Sequence, residues 1–464
     1  MKNYIVTTTL LSLGTSVILG MTGCGNSDGA SSYAANVPVA GSKLSYTVLD
    51  NTIEDAQKPG SKMEIRNGGY GSSASVDPKN ANRFYALTDR GPNASFTGAD
   101  GKGKMFPTPD YTPRIGHFEI LADGSVKQMA EILLKDTSGK NITGLPNSAE
   151  LGGTGEIPYD KNGNTLKNSD GSIKTDDFGL DGEGLAVLAD GTFWVSDEYG
   201  PHMVHFDATG KEIGRINAFT NDSRNIFTLP AEFKNRRANR GMEGLTITPD
   251  QKTLVGIMQS TMYNPSSAVK TLDITRIVTV NLETGTIGQY LYKQEKAANS
   301  NSEIVALSND SFLVIERDGT FAKDTANGQK NVYKITLSSG TNIENVTLKA
   351  GMVQDKALGL TIDTKTLEES LLASSGNWDI LLANGIVPVS KTLVVDMIKE
   401  NNYPHDKMEG LIVFNNNKLG ILNDDDFATW ATGGVLEQKY LDTGKTIIDG
   451  NTLYVVDVNL STSI

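Results

Sequence analysis

One cysteine, four histidines and three tryptophans are spread over 464 residues. A lone thiol excludes a disulfide framework and any metal site built on several cysteines. Four histidines leave a Ser-His-Asp triad open, but no pattern points to one. There is no G-x-S-x-G elbow, no phosphate-binding P-loop, no H-E-x-x-H pair and no dinucleotide fingerprint after a strand. Positive charge is also in deficit. Lys and Arg number 42 against 55 Asp and Glu, giving a net charge of −13 and a pI near 4.9. That balance argues against nucleic-acid binding, which needs a basic face. It suits solubility, or cation binding at acidic clusters. Asp160-Lys161-Asn162-Gly163-Asn164 superficially matches a calcium loop, but its glycine is misplaced and no closing glutamate follows, so it is not read as an EF-hand.

Ile5 to Gly20, preceded by Lys2, is mostly apolar but too short for a comfortable membrane span, and reads as the core of a signal segment. It runs into Met21-Thr22-Gly23-Cys24, which resembles the lipobox of bacterial lipoproteins, where the cysteine is acylated. The reading is a signal peptide over 1–23, lipidation at Cys24, a flexible Gly/Ser/Ala/Asn tether over 24–43, and one folded domain over 44–464. Gly25, rather than Asp, after the cysteine implies by the same resemblance an outer-membrane location in the cell envelope. Membrane contact would then be by the lipid anchor only. The alternative is an ordinary secretory signal with an incidental thiol.

Glycine is plentiful at 48 residues, as many tight turns require. The chain is organised around Asp181-Gly182-Glu183-Gly184-Leu185-Ala186-Val187 and Phe193 to Pro201. Leu185 and Val187 alternate as strand residues, Ala189-Asp190-Gly191 is a turn, and Phe193 to Val195 is the return strand. Counting back from that turn sets Glu183 opposite Asp197, where paired positions lie about 5 Å apart. The frame returns at Met242-Glu243-Gly244-Leu245, at Glu303-Ile304-Val305 and at Met408-Glu409-Gly410-Leu411, with a degenerate first copy at Ser73 to Asp89. Outer hairpins follow, at His205 to Ile213, Arg276 to Gly285 and Asn331 to Leu337. Repeated four-stranded units predict an all-β fold, a β-propeller. Five inner hairpins are counted, and strands around 115 to 134 suggest a sixth blade. Leu44 to Leu49 and Leu453 to Val456 are expected to share a blade and close the ring. Residues 136–179 read as a long insertion on one face, and 364–400 as a partly helical insertion or distorted blade.

In a propeller the inner hairpins meet at one mouth. Glu183, Glu243, Glu303 and Glu409 would converge there, with Asp89, Asp197, Glu316 and Asp424 beside them. So many carboxylates cannot stay ionised unpaired. Calcium first, and magnesium second, are the natural oxygen-liganded partners, which makes these eight acids the candidate metal ligands. Arg90, Arg240, Arg317 and Lys407 either pair with the acids and hold the blades in register, or bind an anionic substrate. Glu183, Asp197 and His202 are the candidate catalytic groups, although a lone loop histidine is more often neither acid nor ligand. Trp194 reads as core.

The motifs Asp89-Arg90-Gly91-Pro92, Asp181 to Leu185, Asp197 to Pro201, Met242 to Leu245, Glu303 and Met408 to Leu411 resemble the phytase-like propeller family, the bacterial proteins with esterase-like activity of phytase. The resemblance runs from about Leu44 to the C-terminus. It implies a propeller and a calcium-assisted phosphoester or phosphodiester hydrolase; a phosphoric ester hydrolase working on a small anionic substrate is expected, as a monomer. Gln259, where an acid would continue the series, departs from an unbroken acidic ring. The alternative function is a non-catalytic propeller that binds a ligand or protein at the cell surface, with the acids serving structure.

Overall fold

The computed structural model describes residues 32–461. The signal segment, Cys24 and the first part of the tether lie outside the described residues. Among those described, no helix is long and apolar enough to cross a membrane.

Five antiparallel sheets carry most of the strand. The first is Ser73–Asp77, Asn80–Leu87, Arg114–Ile120 and Val126–Leu133. The second is Gly182–Val187, Phe193–Asp197, His202–Phe206 and Glu212–Asn217, with Asn225–Thr228 added parallel at its edge. The third is Met242–Ile247, Thr253–Met258, Ile274–Asn281 and Ile287–Lys293. The fourth is Ser300–Ala306, Ser311–Arg317, Lys330–Thr336 and Ser390–Asp396. The fifth is Gly410–Asn415, Lys418–Leu422, Thr452–Asp457 and Ser42–Lys43. The first strands lie side by side in sheet order, and the fifth returns to the first. The arrangement is propeller-like.

Strand sequence explains both the pairing and the packing. In the second sheet the Leu188 N–H donates to the Thr192 carbonyl at 3.0 Å, while Asp190 accepts from the Thr192 N–H and hydroxyl. This closes the hairpin tightly around Gly191, whose φ of +92° suits glycine. Apolar residues from both faces of each sheet then pack on its neighbours. Leu87 and Ile115 meet Leu185 and Val195; Trp194 and Met203 meet Leu254 and Met258; Ile257 and Tyr292 meet Val314 and Ile335. Leu313 and Val332 meet Leu419 and Ile421, and Ile412 and Leu453 meet Phe84 and Phe118. Burying each such side chain contributes about 1.5–3 kcal/mol, so the five interfaces between successive sheets form most of the core, with smaller clusters around Leu367 and Trp378 and around Met63 and Met105. Trp194 is part of it, stacked on His205 at 4.4 Å.

Three expectations change. The strands near 115–134 make no sixth sheet, because Arg114–Ile120 pairs with Asn80–Leu87 and completes the first. The long intervening loop, which carries its own hairpin Ala94–Gly98 and Gly101–Met105, hides that continuity in the sequence. The tether is not free up to residue 43. Tyr33–Asn36 forms a 3-10 turn with Ala34 buried, and Ser42–Lys43 pairs with Thr452 and Leu453. Thr47–Asp50 pairs instead with Ile65–Asn67, so it does not join the C-terminal strand. Residues 364–400 do contain helix, at Leu367–Ala373, Asp379–Ala383 and Met397–Asn401, beside the outer strand of the fourth sheet.

Candidate active site

The inner strands share one deformation that decides which side chains reach the mouth. In the second sheet Gly182 pairs with Asp197 and Gly184 with Ser196, so Glu183 is bulged out of the ladder. In the third, Met242 pairs with Met258 and Gly244 with Ile257, which bulges Glu243. In the fourth, Asn301 pairs with Glu316 and Glu303 with Ile315, which bulges Ser302. A bulge re-aims its side chain. Glycine follows the bulged glutamate for a steric reason. A Cβ on Gly184 would stand 2.4 Å from the Leu245 nitrogen, and one on Gly244 would stand 2.6 Å from the Ile304 nitrogen.

The bulged glutamates open into a cavity of about 420 Å³ at one end of the inner strands. Its lining includes seven carboxylates, from Asp89, Glu183, Glu198, Glu243, Asp406, Glu409 and Asp426, and five cations, from Arg90, Lys104, Arg240, Arg317 and Lys407. Of the sequence candidates, Asp89, Glu183, Glu243, Glu409 and all four basic residues therefore converge as expected. Asp424 stands just behind, ion-paired to Lys407 at 2.6 Å.

With Asp424, five candidates do not line the cavity; the bulges explain the absence of Asp197 and Glu303. Asp197 faces Gly182, not Glu183, and is fully buried. It accepts the Asp181 N–H at 2.8 Å and the Gly200 N–H at 3.1 Å, so it shapes the turn below the mouth. Burial raises its pKa to about 7. His202 is buried against the Leu151 carbonyl at 3.0 Å, and burial, followed by nearby Arg215, holds it well below its usual value. Neither group has access to a substrate in the cavity. Glu303 occupies the position that glycine holds in the second and third sheets. Its carboxylate accepts from Ser73, from the Leu245 N–H at 3.3 Å and from its neighbour Ile304 at 3.0 Å, between the strands. Glu316 accepts from Tyr292 at 2.8 Å and Asn299 at 2.7 Å and pairs with Lys391 at 2.9 Å, away from the mouth.

The residues that sequence counting missed are Glu198 and Asp181. Because of the extra residue in the bulge, the carboxylate that reaches the cavity is Glu198, one position beyond Asp197. The Gln259 amide spans Glu198 and Glu243, donating at 2.9 and 2.6 Å. Asp181 lies beneath, 3.0 Å from the Arg90 guanidinium in an ion pair that lacks hydrogen-bond alignment. Lys104 was missed too, since it lies on a loop hairpin without repeat periodicity.

Charge is compensated unevenly around the cavity. Arg317 is hydrogen-bonded to Glu409 and to Ser302. Lys407 bridges Asp424 and Asp426 at 2.6 and 2.7 Å. Burial would raise Asp426, but Lys407 and Lys439 outweigh it and hold that acid well below its ordinary value. Arg90 is shared by Asp181, Glu156 and the Tyr199 hydroxyl. By contrast, Glu183 is only 7% exposed and no donor reaches its carboxylate among the described residues. Burial, then Glu243 and Asp181, push its pKa well up. Burial and Asp181 likewise lift Asp89 to about 8, and burial and Glu409 lift Glu243 to about 8. Arg240 bonds Ser300 at 3.3 Å, and among the described residues neither it nor Lys104 has a carboxylate in ion-pair range.

One carboxylate oxygen each from Asp89, Asp181 and Glu183 lie within 4.8 Å of one another. Oxygens bound to one calcium at about 2.3–2.6 Å have that separation, and the donor-free Glu183 marks missing positive charge at that point. These residues fit a hard divalent cation. Asp89, Asp424 and Asp426 are similarly close, but there the Lys407 ammonium already supplies the charge.

The family model described as Phytase-like, esterase-like activity of phytase, matches residues 65–427. The chain belongs to the Phytase-like family. The match contains every residue of the cavity lining up to Asp426 and stops just short of Thr429 and Trp430. Among curated proteins, an uncharacterized secreted protein of Arthroderma benhamiae is 26% identical over 397 residues, covering 71% of each chain. Among solved structures, virginiamycin B lyase from Staphylococcus aureus is 13% identical, with a TM-score of 0.29 over 81% of this chain and 95% of its own. The aldose sugar dehydrogenase of Streptomyces coelicolor is 11% identical, with a TM-score of 0.28 over 89% and 98%.

Proposed function

We propose that this Phytase-like chain is a calcium-dependent phosphoester hydrolase, acting as a monomeric five-bladed propeller at the cell envelope. The observation that carries the reading is the cavity's split electrostatics. Asp89, Asp181 and Glu183 form a carboxylate cluster short of positive charge, while Arg240 and Lys104 are cations short of negative charge. A divalent cation together with an anionic ester satisfies both.

Asp89, Asp181 and Glu183 would hold the metal. Bound there, calcium supplies Lewis acidity toward a phosphoryl oxygen and a bound water of lowered pKa. Arg240 orients the remaining phosphoryl oxygens, which fixes the attack geometry. The Glu198 and Glu243 carboxyls both accept from the Gln259 amide, and burial favours their protonated form. In that state they do not repel the anionic substrate, and a proton is available for the departing alcohol. Arg317 and Lys407 position Glu409, Asp424 and Asp426 through their ion pairs.

Those same ion pairs favour a second reading, in which the acids hold the blades in register and the cavity only binds a ligand. The deciding measurement is turnover of a generic phosphomonoester and phosphodiester. Hydrolysis stopped by chelator and restored by calcium supports the enzyme. Calcium-independent absence of turnover, with ligand binding intact, supports the binding protein. Attachment through a lipidated Cys24 is tested by Cys24→Ser, which should move the protein out of the membrane fraction.

A further inference from the structure

The cavity has a second wall that is not built from the repeated strands. Two inserted hairpins form it: Ala94–Gly98 with Gly101–Met105, and Thr429–Thr432 with Val435–Gln438. They are joined where the Thr429 hydroxyl donates to the Asn93 carbonyl at 3.1 Å. The first hairpin is clamped from behind by the parallel strand Ile157–Tyr159 and by the Tyr159 hydroxyl on the Gly101 carbonyl at 2.7 Å. It presents Lys104. The second presents Trp430, whose indole is steadied by the edge of Phe321 at 5.6 Å and by the buried Lys439 ammonium 5.7 Å from the ring centre.

Trp430 remains partly exposed and lines the cavity beside Ala431 and Ala94. Trp430 is the one aromatic side chain among the cavity-lining residues, most of which are polar or charged. It is well suited to stacking against a flat ring. Lys104 lies near Arg90 and Asp181 on the side of the carboxylate cluster. Burial and the adjacent Arg90 depress its pKa, and no carboxylate pairs with it among the described residues. Its ammonium is therefore free for an oxyanion.

We propose, resting on the phosphoester reading of the same cavity, that this wall selects the alcohol part of the substrate. The substrate class is a phosphate ester of a planar group, an aryl or nucleoside ester. The ring stacks on Trp430, and the phosphoryl group lies between Lys104 and the acidic cluster. An alkyl ester has nothing to place on the indole.

The test uses ligands that cannot be hydrolysed, so that binding is read apart from catalysis. Phenylphosphonate and methylphosphonate are titrated calorimetrically into the full chain in saturating calcium. The expected result is that phenylphosphonate binds about tenfold more tightly, the worth of one aromatic stack. Trp430→Leu should erase that preference, and Trp430→Phe should keep most of it. Lys104→Gln should weaken both ligands by a similar factor and preserve their ratio. Equal affinities in the wild type, or a preference that survives Trp430→Leu, would overturn the proposal while leaving the phosphoester reading intact. Failure of both phosphonates to bind the wild type would overturn the two together.

Discussion

Replacing Glu243 by Gln should stabilise the metal-free protein, and should do so only above the ordinary titration range of glutamate. Glu243 is 1% exposed, with one oxygen on Gln259 and the other without a partner. Burial and the neighbouring Glu409 lift its pKa from 4.5 to about 8. A raised carboxyl favours the fold fully below the unfolded value and loses that advantage as pH rises toward the folded one. Between 4.5 and neutral pH each pH unit costs the folded state about 1.4 kcal/mol, so the ionisable side chain is a burden of about 3 kcal/mol at pH 7. Glutamine keeps an oxygen for Gln259 and has no proton to lose. Urea unfolding in chelator should therefore give wild type and Glu243→Gln similar stabilities near pH 4. The gap should widen to about 3 kcal/mol by pH 7 and level off above pH 8. Added calcium should narrow it. A pH-independent gap, or a variant less stable throughout, would refute the idea that the cavity acids are under-compensated.

Glu183→Gln or Asp89→Asn should weaken calcium binding at least tenfold with thermal stability unimpaired in chelator, as read by calorimetry and melting; binding as tight as wild type would remove the metal assignment. Asp197→Ala should do the reverse, costing about 2–4 kcal/mol because two buried N–H donors lose their acceptor, while calcium affinity stays unchanged. Glu409→Leu should cost about 3–5 kcal/mol by stranding buried Arg317, measured by urea unfolding; a neutral effect would show that this pair does not brace the fourth and fifth sheets. Gly184→Ala should destabilise by about 1–3 kcal/mol through overpacking, since the new methyl meets the Leu245 backbone.

The repeat was legible because each inner hairpin alternates strongly and ends in a defined turn, as in Leu185 to Val195. The four-stranded units followed from it, although six were expected and five form, and so did the gathering of Glu183, Glu243 and Glu409. What misled the count was a single backbone irregularity. A bulge adds one residue to one strand without altering composition, and Gly182, not Glu183, therefore faces Asp197. Glu303 was misread for the same reason. Its charge matches it to Glu183 and Glu243, while the ladder places the bulge at Ser302 and gives Glu303 the glycine position. Lys104 and Trp430 left no sequence signal, because they arrive at the cavity on loops whose placement depends on tertiary contacts such as Thr429 with Asn93. Residues 115–134 were assigned to a separate blade because proximity in sequence was taken as proximity in the sheet.

The pairing of Ser42–Lys43 with Thr452 and Leu453 also dictates when this protein can become itself. The fifth sheet lacks its third strand until Thr452–Asp457 is present, and the first and fifth sheets share a core that includes Leu453. A nascent chain can form its middle hairpins early, since their partners are adjacent. It must then hold both flanks of the gap open until Thr452–Asp457 arrives, a contact of very high sequence separation that makes the final step slow. Removal of Ser42–Lys43 or of Thr452–Asp457 should consequently harm assembly out of proportion to the surface removed, and the unjoined first and fifth sheets are where a chaperone or a protease would find the unfinished molecule.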